Sequence, residues 1–169
     1  NSTDETIVKD NQLQFWEHYR KATEARIQNN YKKAVDEYRQ ALGLNPDHED
    51  ALYYSGLVNL YLDKSEPAEK HWLRLTVFNS RSTRGYMQLG KLYFTEHRAL
   101  NKAESAFRKA NEISPEETGP MYYLAIVALF NEQRRETQNY LESILGFNDN
   151  DIHSRFLLGY IFWKDGKTE

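Results

Sequence analysis

Chemistry on a protein needs particular side chains at particular spacings, and this 169-residue chain offers few such sets. Its five histidines, His18, His48, His71, His97 and His153, are scattered. No two stand at the i, i+4 spacing that brings imidazoles together on one helix face for a metal. There is no cysteine, hence no thiolate ligand, no thiol nucleophile and no disulfide. A Gly-x-Ser-x-Gly elbow and a glycine-rich phosphate loop are both missing, and Gly85 and Gly90 fall inside a helical pattern. The acid pairs Glu116-Glu117 and Asp149 with Asp151 fall at expected turns, where carboxylates favour the start of a helix. The residues therefore predict a chain that is not an enzyme, with no metal site and no cofactor. What the chain has in quantity is rings: 12 Tyr, 8 Phe and 3 Trp, which bind by contact area and, in tyrosine, by a hydroxyl.

Charge narrows the partners. Lys and Arg total 22 against 25 Asp and Glu, a net of −3, which argues against nucleic acid or an anionic membrane surface. Mean hydropathy is −0.82 and no apolar run approaches a bilayer span, so no membrane insertion is expected. The expectation is a soluble chain, cytoplasmic or periplasmic. Its first residue is Asn rather than Met, read as a trimmed or processed start. Positive charge concentrates between residues 70 and 109, with Arg81, Arg84 and Lys91 among its members.

The elements that must position these groups repeat. Gly56 and Gly90 are 34 residues apart, and Asn45-Pro46 recurs as Ser114-Pro115. Units set at 15–48, 49–82, 83–117, 118–151 and a partial 152–169 align, after a lead-in at 1–14 whose polar start, to residue 11, reads as mobile. Position 8 is then always small: Ala22, Gly56, Gly90, Ala125, Gly159. Position 20 reads Ala34, Ala68, Ala103, Thr137; position 24 reads Tyr38, Trp72, Phe107, Leu141; position 27 reads Ala41, Leu75, Ala110, Ile144. Small residues let two helices approach, and the large one fills the space beside them. Pro46 and Pro115 end second helices, while Pro67 and Pro120 suit first turns. Helices are expected at 12–28, 31–43, 48–63, 66–79, 83–96, 101–113, 119–131, 134–146 and 151–163, with no strand.

This pattern resembles the tetratricopeptide repeat, most closely at Gly90, Tyr93, Ala103, Phe107, Ala110 and Pro115. The resemblance implies an all-α, right-handed helical-repeat solenoid of about 4.5 units whose first helices line a concave groove. Positions 5, 9 and 12 would then offer Tyr19, Tyr53, Leu57, Met87, Lys91, Phe94, Tyr122, Ile126, Phe156 and Tyr160 to it. The family's carboxylate clamp for chaperone tails is not matched, because Tyr19, Thr23, Tyr54 and Gln88 stand at four of its five places and only Arg84 keeps the charge.

The expected function is a non-catalytic protein-binding module that takes a peptide or helix in an apolar, tyrosine-rich groove. Arg81, Arg84 and Lys91 would meet acidic groups on that partner. An RNA-reading repeat fits poorly with so apolar a groove. The alternative is a self-assembly segment of a larger protein whose catalytic or other domain lies elsewhere. The last helix favours it: Phe156, Leu157, Leu158, Tyr160, Ile161, Phe162 and Trp163 leave it apolar on every side, so a homodimer through Phe156, Phe162 and Trp163, or a longer parent array, is expected to cover it.

Overall fold

The computed structural model describes residues 2–96, 99–164 and 166, with side chains from residue 8 onward. His97, Arg98 and the terminal residues 165 and 167–169 lie outside the described residues. Those described form nine α-helices and no strand. They are α1 (Ser2–Ile27), α2 (Tyr31–Leu44), α3 (Glu49–Leu60), α4 (Ser65–Phe78), α5 (Thr83–Thr95), α6 (Leu100–Ile113), α7 (Thr118–Phe130), α8 (Arg134–Phe147) and α9 (Ile152–Lys164). Eight boundaries fall within a few residues of expectation. The first does not: α1 starts at Ser2, so the segment expected as a polar lead-in is helical. Nothing there breaks a helix, since no Gly or Pro occurs before Gly43.

In the first unit α1 packs on α2, α2 on α3 and α3 on α4; in the second α6 packs on α7, α7 on α8 and α8 on α9. The repeat positions explain why. Ala34, Ala68, Ala103 and Thr137 are fully buried, as are Tyr38, Trp72, Phe107 and Leu141 four residues on. A methyl built on Gly56 would lie 2.3 Å from the Trp72 indole, and one on Gly90 would lie 2.5 Å from the Phe107 ring. Glycine is needed there because the ring occupies the methyl's place, not because of backbone conformation.

Two compact units divide the chain, Asn1–Gly85 and Tyr86–Glu169. In the first, Phe15, Ala22, Ala25, Tyr38, Ala51 and Val58 form one buried cluster. In the second, Met121, Ala125, Leu141, Ile144, Leu158 and Ile161 form another, with Phe162 packed against it.

The turns between α1 and α2, α3 and α4, and α7 and α8 are copies of one another. Asn29, Asp63 and Glu132 take the left-handed conformation, with φ of 59°, 57° and 59°. Each donates its backbone N–H to the carbonyl three residues back, and the next residue donates to the carbonyl five back. Capping orphan carbonyls in this way ends a helix and reverses the chain.

Candidate functional site

In the first four units the register that buries positions 8, 20, 24 and 27 leaves positions 5 and 9 of the first helices half-buried. Tyr19, Tyr53, Leu57, Met87, Lys91, Tyr122 and Ile126 all have this intermediate exposure, as does Phe94 one turn beyond. Phe156 is 72% exposed and Tyr160 42%. These are surfaces held in place by the core yet open on one side.

In the Asn1–Gly85 unit the rings form a continuous cluster. Tyr19 stacks on Phe15 at 5.9 Å and lies 6.0 Å from Tyr38 and 5.3 Å from His48. Burial, helped by the nearby Asp50 charge, pushes the Tyr19 hydroxyl up to about 12. It stays protonated and available to donate. His48 closes the cluster against Phe15 at 4.6 Å and Trp16 at 5.5 Å. Its Nδ1 accepts the Ala51 N–H at 3.2 Å, which makes it the N-cap of α3. Burial lowers its pKa, against the pull of Asp50 and Glu49. Tyr53 leans edge-on to Tyr54 at 5.1 Å, and its carbonyl accepts the Trp72 indole N–H at 3.2 Å.

The cationic residues are engaged differently from a bare patch. Arg84 pairs with Asp50 at 2.6 Å and Glu49 at 3.6 Å, and its guanidinium lies 4.8 Å from the Tyr53 ring centre. Two carboxylates therefore already balance its charge. The Arg81 side chain is exposed. In the Tyr86–Glu169 unit, Lys91 lies over Tyr123, 5.4 Å from the ring centre, and Tyr123 stacks on Phe107 at 4.8 Å.

That second unit has its own cleft, of about 280 Å³, lined by Thr118, Gly119, Tyr122, Tyr123, Ile144, Asp151 and His153. Tyr122 and His153 face each other across it at 6.1 Å, and Phe94 meets Phe130 edge-on at 5.5 Å. Of the residues expected to drive self-association, Phe156 and Trp163 are exposed, Trp163 by 66% and with its ring near Tyr160, whereas Phe162 is half-buried in the α7–α9 cluster.

One feature escaped the sequence reading. The early start of α1 creates a 460 Å³ cleft lined by Val8, Asn11, Gln12, Phe15, Trp16, Leu44 and Asn45. Its signal was present, since Val8, Phe15 and Trp16 share a helical face. Among the described residues no group of three or more His, Asp or Glu stands close enough to hold a metal ion. No described helix is long and apolar enough to cross a membrane.

Comparison with known proteins places the fold. No curated protein matches the sequence. The tetratricopeptide repeat family model matches residues 18–48. The solved MamA protein superposes with a TM-score of 0.83 at 16% identity, over 91% of this chain and 84% of that one. Pseudomonas aeruginosa pilF gives 0.77 at 18% identity, over 94% and 72%. YrrB, described as a tetratricopeptide-repeat protein with an unusual peptide-binding site, gives 0.73 at 20% identity, over 84% and 73%. Residues 18–48 are thus a tetratricopeptide repeat, and the described helices together take the helical-repeat fold of that family.

Proposed function

We propose that this chain is a non-catalytic protein-binding module that holds a peptide or helix against the tyrosine-rich faces of its first helices. One observation carries the reading. In the first four units positions 8 and 24 are committed to the core, while positions 5 and 9 beside them on the first helices keep apolar and tyrosine side chains half-open. Stability alone does not call for rings there, because the core is complete without their outer faces. YrrB, with the same fold, is described as having a peptide-binding site, which supports the reading by analogy.

With Arg84 balanced by Asp50 and Glu49, a partner meets ring faces and tyrosine hydroxyls before it meets free charge. The test is a double substitution, Tyr53→Ala with Tyr122→Ala, against a partner captured by the wild-type chain. Removing two ring anchors should weaken binding by about 2 kcal/mol or more. The unfolding midpoint should move less than the affinity does. Unchanged affinity in the folded double variant would overturn the reading.

A further inference from the structure

Arg26 stands at position 12 of the first unit, on the same face of α1 as Tyr19 and Thr23 at positions 5 and 9. The other units carry Leu60, Phe94, Leu129 and Trp163 at position 12, so the first unit alone puts a cation there. The Arg26 guanidinium lies 4.1 Å from the centre of the Tyr54 ring on α3. Stacking of this kind engages the flat face of the guanidinium and leaves its N–H donors, which point outward in its plane, unspent. Nε is shut off from solvent, and no acceptor meets it. A buried donor without an acceptor is costly, and folded proteins carry few of them.

The charge is unanswered as well. No described carboxylate forms an ion pair with Arg26. Glu24, its nearest acid in sequence, is held by Arg20 at 2.6 Å, and Asp50 on α3 is held by Arg84 at 2.6 Å. The other lysines and arginines of the Asn1–Gly85 unit without an ion pair among the described residues are Lys9, Lys32, Lys33, Lys64 and Arg81, and all of them are exposed. Arg26 is half-buried. It cannot shed its charge, because a guanidinium does not deprotonate in proteins. The same unit holds the completed arrangement for comparison. Arg84 lies 4.8 Å from the centre of the Tyr53 ring, and its N–H groups reach Asp50 at 2.6 Å and Glu49 at 3.6 Å. Arg26 on Tyr54 has the ring without the acid.

We infer that Arg26, stacked on Tyr54, is a carboxylate-binding point on the tyrosine-rich face of the first unit, and that the bound segment supplies the acid as Asp50 supplies it to Arg84. The planar fork of N–H donors matches the two oxygens of a carboxylate. The inference deepens the peptide-binding reading above and rests on it for the occupant. The acid of the partner is thus read by Arg26, and not by Arg84, whose charge two carboxylates already balance.

The experiment follows the arginine Nε–H cross-peaks of the 169-residue chain by proton–nitrogen NMR at constant ionic strength. The Arg26 cross-peak is the one absent from Arg26→Lys, or from Arg26→Gln should the lysine variant not fold. Three probes are titrated in turn: N-acetyl-glutamyl amide, with a side-chain carboxylate; N-acetylglycine, with a chain-end carboxylate; and N-acetyl-glutaminyl amide, with none. Either acid should shift the Arg26 peak along a saturating curve, and the one that saturates at lower concentration identifies the source of the carboxylate. The glutaminyl amide should leave the peak in place, and the Arg84 peak should stay where it is throughout. Tyr53→Ala with Tyr122→Ala should keep the Arg26 response while losing the partner. The two readings therefore fail separately: an Arg26 response together with undiminished partner binding in the tyrosine variant would remove the tyrosine reading and leave the carboxylate point standing. Three results would overturn the inference: no shift of the Arg26 peak with either acid, an equal shift with the glutaminyl amide, or an equal shift of the exposed Arg81, which would mark a general ionic effect.

Discussion

Gly56 and Gly159 occupy one repeat position and should respond to alanine with opposite signs. In mid-helix, alanine gains about 1 kcal/mol over glycine from backbone entropy. At Gly159 nothing opposes that gain, so Gly159→Ala should stabilise by up to about 1 kcal/mol. At Gly56 the new methyl would meet the Trp72 ring at 2.3 Å, and the ring is hydrogen-bonded and enclosed. Overpacking of this kind costs about 1–3 kcal/mol, so Gly56→Ala should destabilise despite its better propensity. Urea unfolding of the two variants checks both signs. Histidine supplies a second residue-scale expectation. Burial lowers the pKa of His71, whose Nε2 lies 3.0 Å from Ser55 Oγ, and of His48. The unfolded chain takes up these protons near pH 6.5, while the folded chain resists them. Stability is therefore present above about pH 6.5 and lost as pH falls below it. His48→Asn, which keeps an N-cap acceptor, combined with His71→Gln should flatten the fall in melting temperature between about pH 7 and 5.

At the scale of elements, the turns carry strain that one substitution can relieve. Glu132 has a side chain at φ of 59°, where L-residues other than Asn, Asp and Gly are costly. Glu132→Gly should stabilise by about 0.5–1 kcal/mol, whereas Asn29→Gly should do little, and thermal melts will compare them. Helices and their pairing were legible because each rests on local pattern: small residues at positions 8 and 20, a large one at 24, and a proline just past a cap. The start of α1 was not, because the turnless stretch before Phe15 brings only Ile7, Val8 and Leu13 as large apolar residues and reads as polar. Nor was the pairing of Arg84 with Asp50. Those residues are 34 apart, and a pattern of small and large residues does not say which charges meet across that distance. His48 as an α3 cap was equally hidden, since imidazole is not among the usual capping groups. The side of α9 that faces the core was hidden for a simpler reason: on a helix apolar all round, sequence does not say which side that is, and Phe162 is the ring that packs partly against it.

Within each of the two units the helices pack on neighbours in sequence, so stability there is close to a sum of local pairings. Damage should stay local. Trp72→Ala removes a fully buried ring and should cost about 3–5 kcal/mol. Amide exchange should then rise most in α3 and α4, while α7 to α9 keep most of their protection; uniform loss across the chain would contradict a one-dimensional array. The same indole has an optical consequence. Of the three tryptophans, Trp16 and Trp163 are half or more exposed, whereas Trp72 is sealed and tied to the Tyr53 carbonyl. A quencher dissolved in the buffer reaches the two outer tryptophans first and leaves an emission dominated by Trp72. That residual light comes from the far side of the backbone that carries Tyr53, so the protein has a built-in lamp behind one of its candidate contact faces.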